Sequence, residues 1–258
     1  MSIYQHFREE ERPFIDQVLS WKENVERTYQ PKLTDFLDPR QRRIVNILIP
    51  DTNDELKVLD NGGGEDTERR RMFIAPFYEP IDETDFQLTL IETVFPEKFV
   101  SISHKDVLGA FLSLGIVREK LGDIVIKDGT IQLVVAHEIA LYVVMNLTQI
   151  KRATVRFSEQ PMSKRIPNQE QWFQSTQTVT SLRLDNVIKE IYNISRKDAR
   201  QAISKQLVKV NFKIVDDAKF IVEEGDLISF RGKGRSKLVD ILGETRKGKT
   251  RMITAKLK

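Results

Sequence analysis

The chain has no cysteine, so it can build neither a disulfide framework nor a thiolate metal site. It has three histidines. In "HEIAL", residues 137–141, Leu141 stands where a zinc motif requires a second histidine. His6 and His104 lack nearby ligand partners. His104 and Asp106 instead open a helix, where capping is the simpler role. No metal or cofactor is expected. No run of 18 apolar residues occurs, which excludes a membrane-spanning helix. The start, "MSIYQHFREEERPF", is too acidic and polar for a secretory signal. A cytoplasmic protein with no membrane partner is therefore expected.

What remains is a chain of 258 residues, 40% apolar and 31% charged, long enough for one large domain or two to three small ones. The net charge of +3 hides an asymmetry. Residues 1–179 hold 22 Lys/Arg and 28 Asp/Glu, whereas residues 180–258 hold 19 and 10. A basic third on an acidic remainder points to a polyanion partner.

Periodicity divides the chain into an α+β series. In residues 1–78, "ERPFIDQVLSWKENVERTY" places apolar residues at helical spacing. "FLDPRQRRIVNILI" follows as a helix with Asp38 as N-cap and Pro39 at its first position. "ELKVLDNGGG" and "RMFIAPFY" read as strands joined by a glycine turn and a charged connector, in which Arg69, Arg70 and Arg71 are expected to be solvated. Residues 79–160 give the order β-α-β-β-α-β, the ferredoxin-like order also used by the RNA-recognition motif, with Asp128-Gly129 as a hairpin turn. Its central strands, "QLTLIETV" and "IQLVVA", carry no aromatic residue, so base stacking on this sheet is not expected and a scaffold or docking role is. Residues 161–179 are polar and read as a linker, although Trp172 and Phe173 need somewhere to dock. Residues 180–242 form a compact unit of two helices and the short strands "VKVN", "KFIVE" and "DLISFRG". Residues 243–258 read as a basic tail.

The stretch "NISRKDARQAISKQLVKVNFK", residues 193–213, is the densest functional signal. With Arg196 at 0° on a helical wheel, Arg200 lies near about 40° and Lys197 near about 100°. Ala199, Ala202 and Ile203 lie on another face. Two cations in the first turn of a helix are the wrong charge for its dipole and the right charge for a phosphate oxygen. Lys205 lies off the cationic stripe. "RGKGRSK", residues 231–237, supplies Arg231, Lys233, Arg235 and Lys237 as a second phosphate-contact candidate.

Arg183-Leu184-Asp185 with Ile188, Ser195-Arg196 with Ala199 and Ile203, Val208, Val210 and Asn211, and Gly225-Asp226 with Ile228 together resemble the S-four RNA-binding domain, named after the ribosomal small-subunit protein. The pattern departs from the family at Gln206 and Phe212, where glycine is usual. A phenylalanine tolerates positive φ poorly, so an Asn-Gly type turn is not expected there and the position of Lys213 is the least secure. The resemblance implies an RNA-binding surface in which Arg183, Arg196 and Arg200 bridge phosphates and Lys209 lies at the edge. Ser195, Lys197, Lys205 and Asn211 complete the candidate set, and Asp185 reads as a helix-end acid supporting the fold.

The whole chain resembles the YlmH family through "FLDPRQRRI", "NGGGEDTERRRM" and "SHKDVLGAFLSLGIVREKLGDI". That resemblance implies a non-enzymatic protein that binds ribosomal RNA or tRNA on the large ribosomal subunit, in translation or ribosome-associated quality control, with a link to cell division. Two alternatives follow from the residues. "VLDNGGG", residues 58–64, echoes the nucleotide loop of methyltransferases, but only "EDTERRR" intervenes before the next strand where that fold needs a helix. It lacks the lysine of a phosphate-binding loop. "PMSKR", residues 161–165, echoes a tRNA-synthetase loop without its histidine partner element. Arg183-Leu184-Asp185 echoes the active-site loop of pseudouridine synthases, but too little chain follows for their catalytic domain. No catalytic residue is assigned. The second alternative is a division-linked adaptor in which residues 1–160 bind a protein.

Overall fold

The computed structural model describes residues 4, 7–50, 52, 54–168, 171–245 and 248–257. His6 and the tail residues Arg246, Lys247 and Lys258 lie outside them. The architecture is α+β, and the chain divides into two units, residues 1–168 and 169–258.

Helix α1 (Arg12–Thr28) buries Ile15, Val18 and Val25, the stripe its periodicity predicts, and ends at Tyr29 in a left-handed conformation. Strand β1 (Lys32–Leu37) follows; its imperfect alternation hides it from a periodicity reading. In helix α2 (Pro39–Leu48) the Asp38 carboxylate accepts the Gln41 backbone N–H at 2.9 Å, the expected cap. Strands β2 (Leu56–Asn61) and β3 (Arg70–Pro76) form an antiparallel hairpin in a sheet of order β1-β3-β2. Ile15, Val18, Val45, Met72 and Ile74 make the core between helices and sheet.

Strand β4 (Leu88–Val94), helix α3 (His104–Leu112), strands β5 (Leu121–Lys127) and β6 (Thr130–Ala136), and helix α4 (His137–Asn146) follow the β-α-β-β-α order. A small hairpin, β7 (Gln149–Ile150) and β8 (Ala153–Thr154), precedes the closing strand β9 (Ser158–Gln160). The closing strand is thus later and shorter than "ATVRFSE" suggests. The sheet order is β5-β6-β4-β9, all antiparallel. Asp128 and Gly129 both have positive φ, 47° and 74°, as the tight hairpin turn requires. Ile91, Ile131, Leu133 and Val135 face α3 and α4 and pack with Phe111 and Val143.

The opposite face of this sheet is not open. Phe36 from β1 packs on Leu90, Val134 and Ala136. Gly122 allows the approach, because a Cβ there would lie 2.7 Å from the Phe36 ring. Gln132, on the same face, donates to the Lys164 carbonyl and accepts the Ile166 N–H. This cover removes the flat platform on which an RNA-recognition motif stacks bases.

Residues 1–78 and 79–160 therefore share one unit, and the arginines expected in a solvated connector help to join them. Arg69 and Arg71 are buried. The Arg69 side chain donates to the Phe36 carbonyl at 2.7 Å, and its backbone N–H donates to Asp123. Arg71 donates to the carbonyls of Thr34, Phe86 and Gln87. Arg70 pairs with Asp60 at 2.8 Å. Asp60 thus binds Arg70, while backbone carbonyls of distant strands take the Arg69 and Arg71 side chains.

The second unit opens with strand β10 (Trp172–Val179), inside the expected linker. Helices α5 (Leu184–Tyr192) and α6 (Arg196–Ser204) follow. Then come strands β11 (Val208–Val210), β12 (Lys213–Ile214), β13 (Leu227–Phe230), β14 (Gly234–Glu244) and β15 (Thr250–Leu257). The sheet order is β10-β15-β14-β13-β11-β12. Two expectations are corrected here. Residues 172–179 are an edge strand, and residues 250–257 are a central strand between β10 and β14. Met252 and Ala255 are fully buried, which is what a short basic segment gains by joining an existing sheet rather than folding alone. "KFIVE" forms only an isolated bridge, Arg183 with Ile221.

Phe36 is fully buried. Replacing it with alanine is expected to lower the unfolding free energy by about 3–5 kcal/mol in urea titration of the full chain.

Candidate nucleic-acid interface

Asp185 lies in the first turn of α5 and is completely buried, although it is ionisable. Three arginines surround it. Arg183, the residue before α5, donates from Nε to Oδ1 at 3.2 Å. Arg196 and Arg200 donate from Nε to Oδ2 at 3.0 and 2.9 Å. Spacing of four on α6 puts the last two on one face, as the helical wheel indicates. Burial alone would raise the Asp185 pKa; hydrogen bonds from Arg200, Arg183 and Arg196 outweigh it and hold the carboxyl below its ordinary range.

One carboxylate against three guanidinium groups leaves a local excess of positive charge. The arginine side chains remain 26%, 46% and 52% exposed, while Asp185 is 0% exposed. Arg196 and Arg200 are held by Nε, and among the described residues no protein group takes their terminal nitrogens. Those forks are fixed at the stem and unspent at the tip, an arrangement suited to bidentate phosphate contact. Ser195 caps α6 by accepting the Asp198 N–H at 3.0 Å, and its hydroxyl also donates to the Asp198 carboxylate. It shapes the helix start and has no free donor for a ligand. Lys197 and Lys205 are exposed at the two ends of α6.

The hairpin after α6 departs from expectation. Val210 pairs with Lys213 across a two-residue loop, and Asn211 and Phe212 both have positive φ, 48° and 67°. This is the tight turn that Phe212 was expected to prevent. Asn211 secures it, donating to Asp226 at 2.7 Å and accepting the Leu227 N–H at 3.0 Å. Its amide oxygen and one of its two amide N–H groups are therefore engaged within the fold. Lys213 is fixed in β12, and Lys209 is exposed on β11. Gln206, the other departure, also has positive φ, 57°.

Arg231 and Lys233 are exposed in the turn before β14. Arg235 and Lys237 are on β14 itself and are half-buried, with their cations 5.8 and 4.5 Å from the centre of the Trp172 ring. The candidate residues thus fall into separate groups rather than one loop-and-helix patch. Sequence reasoning noted that Trp172 must dock but missed the strand that carries it, whose signal was the alternating, Thr-containing run "WFQSTQTV". It also undervalued Asp185, an acid placed two residues after one arginine and opposite two others.

The glycine loop at 62–64 joins β2 to β3, two antiparallel strands, with no helix after it. Asp60, which would have to meet a nucleotide, is held by Arg42 and Arg70 at 2.7 and 2.8 Å. A cleft of about 630 Å³ adjoins the loop, lined by Gly63, Gly64, His137 and Met162 among others. Met162 and Arg165 of the "PMSKR" stretch close on Gly63 and Gly64. Among the described residues no group of three or more His, Asp or Glu is placed to hold a metal, and no helix is long and apolar enough to cross a membrane.

Comparison with known proteins matches three segments of the chain. Residues 10–79 match the family model "YlmH, N-terminal", residues 81–164 match "Putative RNA-binding domain in YlmH", and residues 182–228 match the S4 domain. The chain is 40% identical over 251 residues to "Ribosome-associated protein quality control protein P2" of Bacillus subtilis, covering 97% of this chain and 96% of that one. The chain belongs to the YlmH family. A solved structure, "Cell division protein ylmH from Streptococcus pneumoniae", is 32% identical with a TM-score of 0.55, covering 64% of this chain and 99% of that one. The small ribosomal subunit protein uS4 of Thermoanaerobacter is 47% identical over 55 residues, 21% of this chain and 27% of its own. In this YlmH-family chain the S4 match ends at Ile228, so β10, β14 and β15 lie outside it.

Asp185→Asn removes the shared acceptor charge. It is expected to cost about 2–3 kcal/mol, below the value for fully buried pairs because the arginine tips reach water. The folded pKa of Asp185 is lowered, so its contribution is complete above the unfolded value near about 3.9 and is lost as pH falls. The stability gap between wild type and Asp185→Asn, measured by urea unfolding, should therefore be constant above about pH 5 and close below about pH 4. Phe212→Gly relieves a bulky residue at φ 67° and is expected to raise the thermal midpoint, with a gain of about 0.5–1.5 kcal/mol.

Proposed function

We propose that this protein is a non-enzymatic RNA-binding protein of the cytoplasm. It engages ribosomal RNA or tRNA on the large ribosomal subunit and takes part in ribosome-associated quality control. The carrying observation is the Asp185 cluster, which fixes the stems of Arg183, Arg196 and Arg200 and leaves two exposed guanidinium forks. Such contacts position a protein on RNA by shape and backbone rather than by base sequence. Lys197, Lys205, Arg231 and Lys233 add long-range attraction around them. The name of the Bacillus subtilis relative supports the ribosomal setting.

A methyltransferase-like activity has little support, because the loop at 62–64 is a hairpin turn and Asp60 is already paired. The adaptor reading draws on one observation. Leu141, Tyr142 and Met145 are exposed on α4, with Leu112 on α3, which gives residues 1–160 an apolar surface suited to a protein partner.

Co-sedimentation with purified ribosomal subunits at rising salt tests the main reading. The wild type should pellet with large subunits at low salt and be released as salt rises. Arg196→Ala/Arg200→Ala should be released at lower salt, with affinity reduced about tenfold or more and a shallower salt slope. Equal behaviour of the two proteins, or no pelleting of either at low salt, would defeat the proposal.

A further inference from the structure

Almost all the net positive charge past residue 180 lies outside the S4 match. Residues 180–228 hold nine Lys/Arg and eight Asp/Glu, whereas residues 229–258 hold ten and two. The strands of this second stretch, β14 and β15, extend the sheet beyond the fold that carries the arginine cluster.

Strand alternation places this charge. Val208, Val210, Ile228, Phe230, Leu238 and Met252 pack in the core with α5 and α6. Ser236 also faces the helices, because its hydroxyl meets that of Tyr192 at 2.9 Å. Their neighbours along each strand face the other side. Lys209, Ser229, Arg235, Lys237 and Arg251 therefore share the sheet face away from the helices. Lys209 pairs with Ser229 and Ser229 with Arg235, so cations of β11 and β14 stand in one cross-strand row. Trp172 of β10 pairs with Leu257 of β15 and sits on this face, with Lys237 and Arg235 over its ring. Of the two acids of this stretch, Glu244 pairs with Thr250 at the far end of β14, and Asp240 pairs with Ile253 on this same face, beyond Lys237 along β14.

We infer that this outer sheet face is a second RNA-contact surface, which takes an unpaired RNA segment with one base stacked at Trp172 and its phosphates on Arg235, Lys237 and Lys209. An aromatic ring among half-exposed cations on a sheet face is a platform for single strands, because every base has a stackable face. A solvated cationic face would not need the indole. The inference rests on the RNA-binding reading above and adds that the unit holds RNA on two opposite sides, structured RNA at the helices and unpaired RNA at the sheet.

Fluorescence anisotropy of the full chain with labelled oligouridylate, and separately with a blunt RNA duplex, tests it. Trp172→Leu should weaken oligouridylate binding about tenfold or more and change duplex binding less than twofold, while Trp172→Phe retains most of the affinity. Arg235→Gln/Lys237→Gln should lower the oligouridylate salt slope by about 1.4. Arg196→Ala/Arg200→Ala should weaken duplex binding and spare the single strand. Thermal melting of each variant confirms that it is folded. If Trp172→Leu and Arg235→Gln/Lys237→Gln both bind oligouridylate like wild type, the inference fails while the helix-face reading stands. If wild type binds neither RNA, both fail.

Discussion

A single buried carboxylate organises the candidate interface. Asp185 has no contact with water, and it is kept ionised only by the arginines around it. Asp185 belongs to α5 and Arg196 and Arg200 to α6, so the same interaction ties the two helices together and directs the cationic tips. An unpaired arginine on a surface helix must lose side-chain freedom when it grips a phosphate. Here Arg196 and Arg200 have already lost part of it on folding. The apolar side of the arrangement, Ala199, Ala202 and Ile203 against Leu184, Val187 and Ile188, keeps water from the carboxylate. Fold stability and binding geometry therefore depend on the same few atoms.

The two units place charge differently. In residues 1–168 buried and half-buried arginines are consumed internally: Arg40 by Glu11, Arg42 and Arg70 by Asp60, Arg71 by backbone carbonyls. Such cations join strands and sheets and are not available to a partner. In residues 169–258 most cations lie on exposed helix ends, turns and one sheet face. The sequence excess of positive charge past residue 180 is thus also an excess of accessible charge, and its physical consequence is attraction to a polyanion.

Much of this was legible in the sequence where local chemistry decides structure. Asp38-Pro39, Ser195 with Asp198, and Asp128-Gly129 each mark an element boundary that the structure reproduces. The helical wheel set Arg196 and Arg200 together, which their common bond to Asp185 bears out. What failed was long-range. Residues 172–179 and 250–257 form strands only because they pair with each other and with β14, and no local pattern reveals a partner nearly 80 residues away. Arg69 and Arg71 looked like solvated charge because their acceptors are carbonyls of distant strands. Phe212 was judged by intrinsic preference, whereas the Asn211 side chain bonds to Asp226 and Leu227 hold the turn despite it.

A structure of the protein bound to a large ribosomal subunit, determined by electron cryomicroscopy, tests the central claim most directly. The account predicts RNA phosphates within hydrogen-bond distance of Arg196 and Arg200, with Asp185 still bonded to both. A bound state in which the α5–α6 face points to solvent while residues 1–168 make all the RNA contacts would contradict it.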